Sequence, residues 1–215
     1  MPITRTMTTE TPEGTATITP PFVFLRSPEA TWTRAQWEQL PDDGNRYEVI
    51  DGVLYMSTSP SLFHQWISSR VYKALERQLG ETDVAFVFYA PAGVFMPGAD
   101  PVQPDLVVVR AEDRERLRDE HFHGVPALLV EILSPSNAAF DLHTKRAAYA
   151  RAGVPEYWIV RPTERDVLVL SEPERVSGEY LHAARATPDG ELVSPTLPFR
   201  AVVADFFAGA WFTVP

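Results

Sequence analysis

Phe63, Ile67, Val71, Leu75 and Leu79 recur at every fourth position. That spacing stacks them on one face of an α-helix, which Ser59-Pro60-Ser61 caps and Gly80 ends. The pattern then changes. Val84 to Tyr89, Leu106 to Val109 and Ala127 to Leu133 are β-rich runs, and the last two are nearly continuously hydrophobic, as strands covered on both faces are. Between them Arg110 to Pro126 reads as a charged linker. Asn137 can cap a second helix from Ala138 to Ala152, stopped by Gly153 and Pro155, and Glu156 to Val160 reads as a further strand. The order from Leu62 is therefore helix, three strands, helix, strand.

Upstream, Thr31 to Leu40 predicts a short helix and Pro41 to Gly44 a turn. Tyr47 to Ile50 and Val53 to Met56 are the arms of a hairpin closed by Asp51-Gly52, a type I′ signal. Downstream, turns at Glu172-Pro173 and Pro188-Asp189-Gly190 predict another hairpin, followed by a docked apolar C-terminus around Phe206, Phe207, Trp211 and Phe212. The fold class is α/β (α+β): a mixed β-sheet flanked by helices, with an N-terminal helix and hairpin and a C-terminal β extension.

Composition narrows the setting. The chain has 215 residues, 45% of them hydrophobic, enough to bury a real core. Residues 1–20, rich in Thr, Pro and Glu without an apolar stretch, predict a disordered tail, and 21–215 a single domain. No apolar run approaches membrane-spanning length, and the absence of cysteine excludes disulfides, thiol chemistry and Cys-based zinc sites. A cytoplasmic protein is the expectation. The net charge of −10 argues against nonspecific coating of nucleic acid, because phosphate binding normally needs a positive surface. A local basic groove can still coexist with an acidic whole.

Two charges break the apolar strands. Asp105 sits in Gln-Pro-Asp-Leu-Val-Val-Val and Glu131 in Ala-Leu-Leu-Val-Glu-Ile-Leu, with Lys145 on the helix that follows. A carboxylate in an apolar strand is costly unless it is paired or holds a cation, so two of them point to a divalent ion bound through oxygens. Plainer readings stand beside this one. Asp105 after Pro104 suits a residue that ends a loop, Glu131 suits a buried pair with Lys145 or Arg146, and Lys145 suits a surface pair with Asp141 four residues earlier. His64 reads equally as a half-buried helical histidine, and Glu48 as a solvent-facing strand residue. His121 and His123 could share a face toward zinc, though a polar loop accounts for them as well. Ser134-Pro135-Ser136 lacks the glycines of a hydrolase elbow and reads as the turn into the second helix. Trp66, Tyr157 and Trp158 read as packing residues.

The element order, with Pro104-Asp105 opening one strand and Glu131 inside the next, is similar to the PD-(D/E)XK nuclease fold. More narrowly, the chain from about Thr31 onward resembles the Uma2 family of restriction-endonuclease-like proteins. The segments that carry the likeness are Arg46 to Gly52, His64, Pro104 to Val109, Val130 to Ser136, Lys145 to Tyr149 and Ala152 to Val160. The resemblance implies that Asp105, Glu131 and the backbone carbonyl of Ile132 bind Mg²⁺ or Mn²⁺. In the family's parent pattern a lysine lies two positions after the second acid. Here Leu133 stands there, so the implied lysine is Lys145, 14 positions downstream of Glu131. Glu48 and His64 are implied as auxiliary residues, one an outer metal ligand, the other a phosphate or water contact. The implied activity is metal-dependent phosphodiester hydrolysis, with DNA as partner, and twofold frequency adds a homodimer. A catalytically silent binding or assembly module and a metal-dependent hydrolase of a small phosphate or carbonyl compound are the alternatives.

Overall fold

The computed structural model describes residues 24–28, 30–135 and 137–209. The tail expected over residues 1–20 lies outside them, as do Ser136, Trp211 and Phe212. The first half comprises β1 (Phe24–Arg26), α1 (Arg34–Trp37), β2 (Arg46–Ile50), β3 (Val53–Ser57), α2 (Leu62–Leu75), β4 (Ala85–Tyr89), β5 (Val94–Met96), β6 (Ala99–Val102) and β7 (Leu106–Arg110). The second comprises β8 (Leu117–Arg118), β9 (His121–His123), β10 (Leu128–Ile132), α3 (Arg146–Ala152), β11 (Glu156–Arg161), β12 (Asp166–Glu174), β13 (Glu179–Ala186), β14 (Glu191–Val193), β15 (Arg200–Val202) and α4 (Ala204–Phe207).

Two large sheets form where the sequence pointed to one. The six-stranded sheet runs β13-β12-β11-β10-β7-β4, and the seven-stranded sheet runs β1-β3-β2-β6-β5-β9-β8. In the six-stranded sheet β10 and β11 pair in parallel and the other neighbours antiparallel. A parallel pair needs a crossover, which α3 supplies. The near-continuous hydrophobicity of β7 and β10 now has its cause. Leu106, Val108, Leu128 and Val130 pack with Ile67, Val71 and Leu75 of α2, whereas Val107, Val109 and Leu129 pack with Tyr149 of α3 and with Ile50, Val94 and Val102 of the other sheet. Alternate side chains thus serve two cores.

The 47–56 hairpin forms with Asp51 at φ 51° and Gly52 at φ 74°, the two positive angles a type I′ turn requires. A Cβ at Gly52 would sit 2.8 Å from the Ala30 carbonyl oxygen, so the turn also depends on the missing side chain. Three expectations need correction. Glu172-Pro173 lies inside β12, and the reversal comes after Glu174. The charged linker holds β8, β9 and a 3₁₀ turn at Ala111–Arg116. Both long helices contain π-helical stretches, Glu76–Gly80 at the end of α2 and Phe140–Lys145 leading into α3. Such widened turns add a residue to the helical circuit and re-aim the side chains that follow. Among the described residues no helix is long and apolar enough to cross a membrane.

Candidate functional site

Asp105 immediately precedes β7, and Glu131 lies next to last in β10, which pairs with it. Odd-numbered residues of both strands face α3 and the seven-stranded sheet, and the β7–β10 register, continued by one residue past Leu106 and Val130, sets Asp105 opposite Glu131. Asp105 is 3% exposed and Glu131 2%. The backbone N–H of Ile132 donates to Asp105 Oδ2 at 2.9 Å, which ties the first acid to the residue following the second.

Four elements deliver the groups around them. From β2, Arg46 donates through a terminal guanidinium nitrogen to Asp105 Oδ1 at 2.8 Å. From the first turn of α2, whose N-cap Ser61 accepts the His64 N–H, His64 Nε2 lies 2.9 Å from Asp105 Oδ2. The π-helical stretch brings in Lys145, which donates to Glu131 Oε1 at 2.8 Å and stands 3.0 Å from Glu48 Oε1 and 3.7 Å from Asp141 Oδ1. One turn on, Tyr149 donates its hydroxyl to Glu131 Oε1 at 2.9 Å. Glu48 also accepts the Gln103 N–H at 2.8 Å, and the Phe140 ring lies 5.3 Å from the Lys145 ammonium, within cation–π range.

The sequence-derived residues Glu48, His64, Asp105, Glu131, Ile132 and Lys145 are therefore brought together. The plainer readings of two of them do not hold. Lys145 is buried, not a surface partner of Asp141, and Glu48 is buried, not solvent-facing. Glu131 does form the buried pair with Lys145 that its plainer reading named. Arg46 and Tyr149 join the cluster without having been singled out, and Asp141, named only as a surface partner of Lys145, joins it buried. Arg46 and Tyr149 stood in the motif segments, and Tyr149 follows Lys145 by four on one helical face, but nothing local marked Asp141 as buried. His121 and His123 are elsewhere, packed against Phe95. Trp158 and Tyr157 are core residues, and Trp66 donates its indole N–H to the Ala208 carbonyl at 3.2 Å.

Electrostatically the cluster is unbalanced. Glu48, Asp105, Glu131 and Asp141 are all buried, and among the described residues the basic groups paired with them are Arg46, Lys145 and His64. Burial opposes ionisation of Asp105, yet the charges of His64 and Arg46 and the Ile132 N–H hold it well below the usual carboxylate range. Glu131 goes the other way. Burial, reinforced by Asp105 and Glu48, pushes it up to about 7 in spite of Lys145. Burial likewise raises Asp141, and neither of its oxygens has a hydrogen-bond partner. For Lys145 burial works against the ammonium, but Glu131, Glu48 and Asp141 outweigh it and keep the side chain charged.

Hard oxygen donors with surplus negative charge suit a divalent cation such as Mg²⁺ or Mn²⁺. Among the described residues no three His, Cys, Asp or Glu side chains enclose a ready-made cation site. Asp105 and Glu131 are nevertheless oxygen donors of the class Mg²⁺ takes, an ion that ordinarily keeps several waters and takes further oxygens from a phosphate substrate. Arg46 and His64, with 17% and 10% of their side chains exposed, form the outer rim of an otherwise closed cluster.

A family model described as "Uma2: Putative restriction endonuclease" matches residues 34–205. Among solved structures, the chain is similar to a crystal structure from Anabaena variabilis described as "a putative nuclease belonging to DUF820". The two share 19% identity at a TM-score of 0.70, over 82% of this chain and 97% of that one, which is a likeness of fold. No curated protein matches the chain.

Proposed function

The chain belongs to the Uma2 family, and from that premise we propose that it is a divalent-metal-dependent endonuclease that hydrolyses phosphodiester bonds in DNA. The observation that carries the reading is the convergence of Asp105 and Glu131 beside Lys145, in a cluster whose carboxylates outnumber its cations.

Asp105, Glu131 and the Ile132 carbonyl would hold the cation, which when bound supplies Lewis acidity to a phosphoryl group and acidifies water. The chain's own residues do the rest. Lys145 keeps a fixed positive charge beside Glu131 and is placed to orient water or to meet negative charge developing on the phosphate. Glu48 holds the ammonium from the other side, anchored in turn by the Gln103 N–H. His64 and Arg46 fix the two oxygens of Asp105, and from the rim they are the first donors an incoming phosphate meets. No covalent intermediate on the protein is required.

One observation favours a second reading, a nuclease fold that does not cut. Asp105 and Glu131 each already have an internal cation partner. Titration of Mg²⁺ or Mn²⁺ into wild type and Glu131→Ala separates the two. Binding is followed by calorimetry and cleavage on mixed duplex and single-stranded DNA. The proposed function requires that wild type bind and cut and that the variant lose both. A wild type that does neither makes the cluster structural.

A further inference from the structure

Tyr89 is the last residue of β4, the edge strand of the six-stranded sheet, and pairs with Leu106. The next residue, Ala90, donates its N–H to the carbonyl of Asp105 at 3.0 Å. The end of β4 is therefore bonded directly to the residue that opens the acid cluster. Along β4, Ala85 and Val87 are buried against α2, but Tyr89, on the same face, is 62% exposed. It is the one aromatic among the exposed large apolar residues described, whereas Tyr149, Tyr157, Trp158 and Tyr180 are all buried.

Tyr89 is held in place. Tyr72 of α2 meets it edge-to-face, with ring centroids 5.2 Å apart and an interplanar angle of 79°. Tyr72 lies eight residues after His64, a rise of about 12 Å along the helix, or roughly three to four base steps at duplex rise. A single strand entering the cluster at His64 is long enough to reach the tyrosines.

We infer that Tyr89, braced by Tyr72, is a stacking platform for an unpaired nucleobase of the strand whose phosphate enters the acid cluster. The inference rests on the nuclease reading and adds a substrate class, nucleic acid that is single-stranded or locally opened. Bases inside a duplex already stack on each other, so an exposed ring at the rim can engage only an unpaired or splayed base. The charge of the chain fits. With a net charge of −10 it has little general attraction for phosphates, and base stacking supplies affinity that does not depend on positive surface.

The test uses the full chain with a single-stranded oligonucleotide carrying 2-aminopurine, first with EDTA for binding and then with Mn²⁺ for cleavage, beside a fully paired duplex of the same sequence. Wild type should quench the probe. Tyr89→Ala should abolish the quench and weaken single-strand affinity by about five-fold to a hundred-fold, while melting at the wild-type temperature. Tyr89→Phe and Tyr89→Trp should restore both, since a ring and not a hydroxyl is needed, and Tyr72→Ala should give a partial loss. KM for the single strand should rise in Tyr89→Ala with kcat little changed. Unchanged affinity in Tyr89→Ala, or failure of the aromatic variants to rescue, overturns the platform while leaving a cutting wild type, and so the nuclease reading, intact. A wild type that neither binds nor cuts nucleic acid overturns both.

Discussion

Two sets of buried carboxylates, one on β11 and β12 and the other gathered around Lys145 from both sheets and a helix, are treated in opposite ways. Glu156, on β11, accepts from the indole of Trp158 and from the hydroxyls of Ser194 and Thr196. Asp166, on β12, takes both arms of Arg161 at 2.7 Å and a further bond from Arg185. Each oxygen of these two acids has a donor, which is how a fold makes a buried charge tolerable. Around Lys145, by contrast, three carboxylates share one ammonium, and Asp141 is left with none of its hydrogen bonds made. The same chain solves the problem fully in one place and leaves it open in another. Local rules broken inside an otherwise consistent fold are where a function is to be sought, and this contrast supports the proposed site.

The widest gap between the two sets should appear when a cation is removed. Lys145→Ala strips Glu131 and Glu48 of their shared partner and should cost about 3 to 5 kcal/mol in urea unfolding, the usual result of orphaning a buried charge. Mn²⁺ should return part of that loss by taking the ammonium's place. Arg185→Ala, at a side chain that is 56% exposed, leaves the Arg161 fork on Asp166 and should cost under about 1 kcal/mol. Equal losses in the two variants would erase the distinction.

A smaller contrast lies in pH. Glu131 holds its proton up to about 7 when folded, against an ordinary 4.5, so the folded state binds more protons and stability falls as pH rises through that window. The fall assignable to Glu131 is on the order of 2 to 3 kcal/mol. Asp105 has the opposite sign, stabilising above its ordinary value and losing that contribution as pH drops. Unfolding of the metal-free protein at pH 5 and pH 7.5 should show wild type losing more than Glu131→Gln, and parallel profiles would contradict the crowding. Smallest of all, Asp141→Asn replaces a carboxyl group whose ionisation burial opposes and whose oxygens accept no hydrogen bond, and should change stability by less than about 1 kcal/mol. Asp166→Asn discards charge-assisted bonds and should lose roughly 1.5 to 3 kcal/mol.

Much of the six-stranded sheet and the helix packed on it could be read from the chain, because their signals are long. The four-residue repeat from Phe63 to Leu79 marks α2 and the unbroken apolar runs mark β7 and β10, while in the other sheet Asp51-Gly52 fixes the β2–β3 hairpin. Most of the seven-stranded sheet could not. Its strands β5, β6, β8 and β9 have two to four residues each, too few for a period to register. The π-helical stretch before α3 is invisible for a related reason, since apolar spacing does not report one extra residue in a turn. At the site, Asp105 and Glu131 announced themselves by interrupting apolar strands. Arg46 did not, because it begins a strand where a charge is unremarkable, and only the docking of two sheets carries it to Asp105.

That docking has a consequence in time. Arg46 and Asp105 are 59 positions apart, Glu48 and Gln103 are 55, and Glu131 must wait for Lys145 and Tyr149 farther along. A chain emerging from the ribosome has no assembled cluster until Tyr149, about seven-tenths of the way along it, has been made, so long-range contacts of the slow-forming kind complete the cluster late. On the proposed nuclease reading, a nascent chain has no cutting site until Tyr149, the last partner of Glu131, has been made.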